Sequence, residues 1–358
     1  MFMQLYIGVY SFFVCLVMLP LAIVLAKRFG LTDIPDDRKI HKNPVPVVGG
    51  ICIFLTLLAA QNVYSYSVFP TIMCWLGLVC IIGLIDDLID LSHRARLGLH
   101  ATVVVGLFAT ENLYVWNIGA ILGSSDINIL GPIGLLFTVI CVLGVVNAIN
   151  MSDGVDGLLA SFLIISFMSL LVLTSGQLVE YSFAFICSWS ILGASLAFLL
   201  FNSRGIFNRG IVFLGDSGST TLGFILVYVL IQCSQSPDAL INPTLAGWIV
   251  GLPLLDASAV IFLRVVSGKS PFIADRSHLH HLMVDHGYSV NHTVKVLAVI
   301  HAIMILFGIT VDALIIAYAD ALLFWIFIIL VLLRVMVCNW LFHLQSGRIT
   351  STNDRGSH

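Results

Sequence analysis

Three short segments of the sequence gather aspartates beside glycines and asparagines. Their polar residues are Asp86, Asp87 and Asp90; Asn150, Asp153 and Asp156; and Asp216. Six carboxylates at the ends of apolar segments repel one another unless a cation compensates their charge. Oxygen ligands without a neighbouring cysteine or histidine favour Mg²⁺ or Mn²⁺ over zinc. The segments therefore predict a metal-assisted site that handles phosphate groups.

The spacing within these segments supports the same interpretation. Asp153 and Asp156 are three residues apart and can face one way on a helical turn. Asp216 opens a glycine- and serine-rich helix start, where free N–H groups favour a phosphate. A single aspartate before a helix is usually only an N-cap. Three such segments together favour a binding site for a diphosphate substrate.

A fourth segment contains one arginine and three histidines, which are Arg276, His278, His280 and His281. These side chains offer several N–H donors to a phosphate or to sugar hydroxyls. Two alternatives are a zinc site and a solvated loop. The spacing is awkward for zinc on one helix, and no Cys or Glu completes a ligand set. The segment predicts binding of an anionic substrate.

The composition indicates which elements must position these residues. The chain has 358 residues, of which 59% are hydrophobic and only 10% charged, with a mean hydropathy of +1.06. Soluble domains carry about 25% charged residues, and a net charge of −3 with no basic patch excludes a nucleic-acid binder. The eight cysteines form no CxxC pair and are interpreted as small buried hydrophobes. The sequence predicts an all-α polytopic membrane protein.

Eleven apolar segments are long enough to be candidate transmembrane helices. They cover residues 5–26, 47–66, 69–85, 98–115, 131–149, 158–175, 181–201, 217–234, 244–263, 293–315 and 319–341. With this count, all 16 lysines and arginines fall on one side, which the positive-inside rule assigns to the cytoplasm. The N-terminus is then periplasmic, the C-terminus cytoplasmic, and the acidic and histidine segments lie on the cytoplasmic face.

Two further polar features stand out, and the chain reads as one domain. Lys42 lies in a basic first loop that could hold an anionic head group or a nucleotide phosphate. Asp256 lies within a span, where an acid is a functional hypothesis by default, but the sequence shows no partner for it. Residues 1–345 form a single integral-membrane catalytic domain, and residues 346–358 form a cytoplasmic tail whose last residues resemble a tag remnant.

Five of these motifs, in order over residues 28–290, resemble those of the polyprenyl-phosphate N-acetylhexosamine-1-phosphate transferases. They are the Pro46-Val-Val-Gly-Gly50 segment, the Asp86-Asp87 pair, the Asn150–Gly157 segment, the Phe213–Ser219 segment and the Asp275–His281 segment. Each motif alone is weak, but their order among the spans is specific. The resemblance is strongest to the bacterial branch that uses undecaprenyl phosphate and UDP-GlcNAc.

The resemblance implies a reaction and a set of roles. Undecaprenyl phosphate and UDP-GlcNAc would give undecaprenyl-diphospho-GlcNAc and UMP with Mg²⁺ or Mn²⁺, starting O-antigen, enterobacterial common antigen or a related surface polysaccharide. Asp216 and Asn150 match metal ligands, and Asp86 and Asp87 match the pair that handles the lipid phosphate. The other matches are Asp153, Gly154, Val155 and Asp156 for the nucleotide, Phe213 for uracil, and Arg276, His278, His280 and His281 for the sugar phosphate; Lys42 is a less specific match.

Several alternatives remain open at this point. A phospho-MurNAc-pentapeptide transferase is disfavoured because its three consecutive histidines are here interrupted by Leu279, but another UDP-N-acetylhexosamine is compatible. A transporter would line a path across the bilayer with its carboxylates, and a scaffold would scatter them. Direct displacement is favoured over an aspartyl-phosphate intermediate, because phosphate is already largely dianionic at neutral pH. The expected location is the bacterial inner membrane, and a homodimer stays open.

Overall fold

The protein is described by a computed structural model. The structure describes residues 2–34, 43–64, 70–123, 125–174, 183–236, 239–271, 276–315 and 318–353. Lys42 lies outside the described residues, so its predicted role has no structural counterpart.

Helices make up nearly all of the regular structure in these ranges. They are α1 Phe2–Phe29, α2 Gly49–Tyr64, α3 Pro70–Ile89, α4 His93–Thr110, α5 Gly131–Met151, α6 Leu158–Leu173, α7 Phe183–Asn202, α8 Gly215–Gln235, α9 Pro243–Ile249, α10 Gly251–Val266, α11 Leu279–Asp285, α12 Val290–Leu314 and α13 Ala319–Asn353. Two short strands, β1 Thr32–Asp33 and β2 Val45–Pro46, pair antiparallel. The prediction of an all-α protein did not include this small sheet, which forms where Pro44 and Pro46 favour extended backbone.

The apolar helices agree with a multi-pass membrane protein. Within the described ranges, seven helices are long and apolar enough to cross a membrane, or eight if the pair α9 and α10 is one span. Each of the eleven predicted segments coincides with a helix or a helix pair, but α2 and α6 are shorter than a full span, and α4 is not among the helices apolar enough to cross a membrane. The helix that corresponds to the predicted segment 98–115 begins earlier, at His93, with Ser92 as its N-cap. Arg94 and Arg96 therefore lie within α4.

The predicted span 244–263 is not one straight helix. α9 and α10 meet at an angle of 86°. The free carbonyl of Ile249 at the break accepts a hydrogen bond from Ser166 Oγ at 2.7 Å, and Pro253 follows in the first turn of α10. Hydropathy alone does not reveal this bend, because the two helices together are apolar enough to be one span.

α8 is the central helix of the bundle and is buried along almost its whole length. It packs against α2, α3, α5, α7 and α9. A Cβ on Gly50 of α2 would lie 1.9 Å from Gly218 Cα, so the two backbones touch there and only glycine fits. This close packing fixes the position of the first turn of α8, which carries Asp216.

Candidate active site

The three predicted acidic segments meet in one open cleft of about 760 Å³. It lies where α3 and α5 end and where α8 begins. Nine of the predicted residues line it: Asp87, Asn150, Asp153, Gly154, Val155, Asp156, Phe213, Asp216 and His281. Among the predicted residues that the structure describes, Asp86, Arg276, His278 and His280 are not on its wall. The structure thus brings distant parts of the sequence together in one cleft.

Asp87 uses both carboxylate oxygens to hold the first turn of α8. Oδ1 accepts the N–H of Asp216 at 2.6 Å, and Oδ2 accepts the N–H of Ser217 at 3.1 Å. These N–H groups have no partner within their own helix, and a carboxylate also suits the positive end of the helix dipole. Asp87 therefore links the end of α3 to the backbone that carries Asp216.

Replacing Asp87 by alanine should lower both stability and activity, because two N–H groups then lose their acceptor. Each unsatisfied group costs about 1–3 kcal/mol, and we expect a lower melting temperature together with a large loss of transfer rate. Asp126→Asn is the matched control, since Asp126 is an exposed carboxylate that accepts a hydrogen bond from Asn117 outside the cleft. A wild-type melting temperature and rate for Asp87→Ala would contradict this assignment.

Asp86, the other member of the pair, is buried, and its partners lie in α4 and in the turn that joins α3 to α4. Its Oδ2 lies 2.8 Å from Arg96 Nη1, and its Oδ1 accepts the N–H of Leu91 at 2.8 Å. Arg96 Nη1 also approaches Asp216 Oδ1 to 3.7 Å. Arg96 therefore brings a partly exposed positive charge to the edge of the cleft, next to Asp216.

Asn150 at the end of α5 holds Asp216 from the other side. Its Nδ2 donates to Asp216 Oδ1 at 2.5 Å and to Ser219 Oγ at 2.9 Å. Asn150 and Asp216 were predicted as companions, and the structure places them in direct contact.

The turn from Asp153 to Asp156 forms the next part of the wall. Burial and the charges of Asp216, Asp87 and Asp156 raise the pKa of Asp153 well above its usual value. Asp156, in contrast, is paired with Arg204 Nε at 2.7 Å and also accepts the N–H of Gly210 at 3.2 Å. The two aspartates thus differ in their surroundings: Asp153 faces other carboxylates in the cleft, and Asp156 anchors the loop after α7 through Arg204.

Phe213 reaches the cleft from a segment fixed by β2. Its N–H donates to the Pro46 carbonyl at 2.8 Å, and its carbonyl accepts the N–H of Gly49 at 2.9 Å. The proline- and glycine-rich segment before α2 therefore places the aromatic ring that the sequence predicts to stack on a base.

The histidine segment packs directly on the Asp153–Asp156 turn. A Cβ on Gly154 would lie 2.1 Å from His280 Nε2, so the imidazole lies against the bare glycine backbone. His280 is buried behind the wall, and His281, whose ring centroid is 4.1 Å away, reaches the cleft. Arg276 instead pairs with Asp285 at 2.6 Å on the exposed side of the segment.

The two inner histidines are neutral at physiological pH. Burial and the neighbouring imidazoles lower the pKa of His280 to about 3. Burial and the charge of Arg276 lower the pKa of His281 to about 4. His280 Nε2 and His281 Nδ1 have no hydrogen-bond partner within the described part of the chain. These rings can therefore offer a neutral donor or acceptor to a substrate, but not a positive charge.

Sequence reasoning missed two residues of the site, Arg96 and Arg204. Both were counted only as cytoplasmic positive charge, yet each pairs with an aspartate of the acidic segments. The spacing of ten residues between Asp86 and Arg96 gave no signal, because the turn between α3 and α4 was not predicted.

The donor chemistry of the cleft suits a hard divalent cation. Asp216, Asp153 and Asn150 line the cleft with carboxylate and amide oxygens, and a bound cation would offset the burial and the neighbouring carboxylates that raise the pKa of Asp153. As placed, the Asn150 amide donates its Nδ2 to Asp216 and Ser219, and its oxygen is the atom that a cation would use. Within the described ranges, no three His, Cys, Asp or Glu side chains converge as a ready-made metal cage.

Comparison with known proteins agrees with these observations. Residues 69–234 match the sequence profile of glycosyl transferase family 4. The chain is similar to proteins named undecaprenyl-phosphate alpha-N-acetylglucosaminyl 1-phosphate transferase from several bacteria. It is 33% identical to that of Yersinia pestis over 84% of this chain and 82% of the relative, and 32% identical to that of Escherichia coli O157:H7 over 87% and 83%. The protein of Haemophilus influenzae is 31% identical over 84% and 83%.

Proposed function

This chain belongs to the family of the undecaprenyl-phosphate alpha-N-acetylglucosaminyl 1-phosphate transferases, and on that premise we propose its reaction. It transfers GlcNAc 1-phosphate from UDP-GlcNAc to undecaprenyl phosphate and releases UMP. The observation that carries the proposal is the single cleft in which Asp153, Asn150 and Asp216 meet at the ends of membrane helices. Such a site can bind a nucleotide sugar and a lipid phosphate side by side.

We assign different residues of the cleft to the uracil and to the sugar phosphate of UDP-GlcNAc. Phe213 offers an aromatic face to the uracil, and Asp153 and the Gly154–Val155 backbone line the adjoining wall. His281, with His280 packed behind it against Gly154, can hydrogen-bond the sugar phosphate without adding charge. The diphosphate then lies near Asp216 and Arg96.

The charge balance of the cleft supports a divalent cofactor, Mg²⁺ or Mn²⁺, held by Asp216, Asn150 and Asp153. When bound, such an ion neutralises the diphosphate and stabilises the UMP leaving group. Arg96, 3.7 Å from Asp216, adds a fixed positive charge beside the same position. These groups permit one anionic phosphate to approach another.

The structure favours a single displacement. An oxygen of the lipid phosphate forms a bond to the β-phosphorus while the bond from that phosphorus to the oxygen bridging the α-phosphate breaks. The electron pair leaves with UMP, and no oxidation or reduction occurs. Because the lipid phosphate is largely dianionic, it needs no base. Asp86 and Asp87 are poorly placed to form an aspartyl-phosphate, because both oxygens of each already accept hydrogen bonds.

The proposed location is the bacterial inner membrane, with the cleft on the cytoplasmic face. All lysines and arginines lie on one side if each of the eleven apolar segments crosses the membrane. This orientation gives a cytoplasmic nucleotide sugar access to the cleft while the lipid phosphate reaches it from the bilayer.

The identity of the sugar is tested by measuring UMP release from a panel of UDP-sugars with the purified full chain, undecaprenyl phosphate and Mg²⁺. We expect UDP-GlcNAc to give the highest kcat/KM. A preference for UDP-MurNAc-pentapeptide would reassign the chain to peptidoglycan synthesis. Absence of UMP release with every donor would overturn the proposal.

A further inference from the structure

Asp256 has a set of partners that the sequence did not reveal. It lies buried in α10, within a membrane helix. Its Oδ2 lies 2.9 Å from His278 Nδ1, and both of its oxygens are within 3.3 Å of the N–H of Leu279. An imidazole nitrogen that faces a carboxylate donates its proton to it, which fixes the tautomer of His278. Asp256 therefore holds the start of α11.

Arg334 completes the arrangement from the last helix, α13. Its Nε and Nη2 donate to Asp256 Oδ1 at 3.2 and 3.0 Å, and Nη2 also donates to the carbonyl of Ser277 at 2.7 Å. Arg334 was predicted to belong to the cytoplasmic charge near the end of the chain, but the structure shows it buried. One guanidinium thus holds both Asp256 and the backbone before His278.

A continuous series of contacts leads from this ion pair to the cleft. The rings of His278 and His280 are nearly parallel with centroids 5.9 Å apart, and His280 lies against Gly154. His281 follows at the cleft wall. Arg276 and Asp285 pair on the exposed side of the segment, whereas its contacts with Asp256 and Arg334 are buried. The orientation of the inner histidines therefore depends on Asp256 and Arg334.

We propose that Asp256 and Arg334 are positioning residues that orient the His278–His281 segment for transfer of the sugar phosphate. The proposal rests on the proposed function. A buried ion pair contributes little net stability, but removal of one partner leaves an uncompensated charge. Retaining this pair inside the membrane is consistent with a requirement for one defined geometry at the cleft. Neither residue lines the cleft, so both act through the histidines.

The test uses the full chain with Arg334→Met, Asp256→Ala and Asp256→Asn. We expect Arg334→Met and Asp256→Ala to lower kcat roughly a hundredfold, as displaced catalytic groups do. Asp256→Asn keeps an oxygen for Leu279 and His278 and should recover much of that loss. Affinity for UMP, which lacks the sugar phosphate, should stay within about threefold of wild type in all three variants.

Asp320→Asn is the matched control. Asp320 also joins α13 to the rest of the bundle, since it accepts hydrogen bonds from Thr244 Oγ1 and from the N–H of Ala120, but it lies at the opposite end of the helix. It should leave kcat within about twofold of wild type even if the melting temperature falls. Equal losses of kcat in Asp320→Asn and Arg334→Met, or a parallel loss of UMP affinity, would show that Arg334 only stabilises the bundle.

A second readout separates this proposal from the proposed reaction. Diethyl pyrocarbonate modifies accessible neutral imidazoles, and mass spectrometry locates the product. In the wild type, the buried His278 and His280 should react slowly, and in Arg334→Met they should react several times faster. This result is independent of turnover, so it holds even if UDP-GlcNAc proves not to be the donor. Unchanged modification in Arg334→Met would overturn the positioning role.

Discussion

Replacing Asp216 by asparagine is expected to abolish measurable transfer while leaving the protein folded. Asp216 is the carboxylate at which Asn150, Arg96 and the first turn of α8 converge. Asparagine preserves its shape but removes the charge that a divalent cation needs. Loss of a metal contact of several kcal/mol corresponds to a decrease in kcat of roughly a thousandfold or more.

Two measurements accompany this variant. The increase in melting temperature on addition of Mg²⁺ should be present in the wild type and strongly reduced in Asp216→Asn, because binding stabilises only the folded state. Asp126→Asn is the control, since Asp126 is an exposed carboxylate that contacts Asn117 outside the cleft. Full activity of Asp216→Asn across a Mg²⁺ titration would refute the role of Asp216 as a metal ligand.

Gly154→Ala should produce the second large effect. The added Cβ would lie 2.1 Å from His280 Nε2, which no packed structure tolerates, so the imidazole or the turn must move. Because the same turn carries Asp153 and the same segment carries His281, the displacement reaches both sides of the cleft. A shift of about 1 Å in such groups can reduce the rate roughly a hundredfold.

A double variant isolates the contact. In a His280→Ala background the collision is gone, so Gly154→Ala should cause little further loss of activity or stability. Gly144→Ala is the matched control, since nothing lies within 4 Å of the position of its added methyl group. If Gly154→Ala lowers activity and stability equally in both backgrounds, His280 does not lie against this glycine.

The sequence pointed to the acidic residues that line the cleft. Placing aspartates at the ends of apolar helices costs free energy, so their occurrence in three segments indicated a common site. The one-sided charge pattern suggested that these segments share a membrane face, and the structure indeed brings Asp153 and Asp216 into one cleft. The helices themselves followed from hydropathy, since each predicted segment coincides with one of them or with a pair.

The individual roles could not be predicted, because they depend on contacts between residues far apart in the chain. Asp86 and Asp87 are adjacent and chemically identical, yet one is paired with Arg96 and the other holds α8. Asp256 and its partner Arg334 are separated by 78 positions. Hydropathy also treats α9 and α10 as one segment, since a bend leaves the composition unchanged.

The central claim is that a phosphoryl group, not the sugar alone, passes to the lipid. It is tested by supplying UDP-GlcNAc labelled with ³²P at the β-phosphorus, together with undecaprenyl phosphate, Mg²⁺ and the purified full chain. We expect the label to appear in the lipid fraction and the nucleotide product to be unlabelled UMP. Label retained in UDP would show transfer of the sugar alone and would contradict phosphoryl transfer to the lipid.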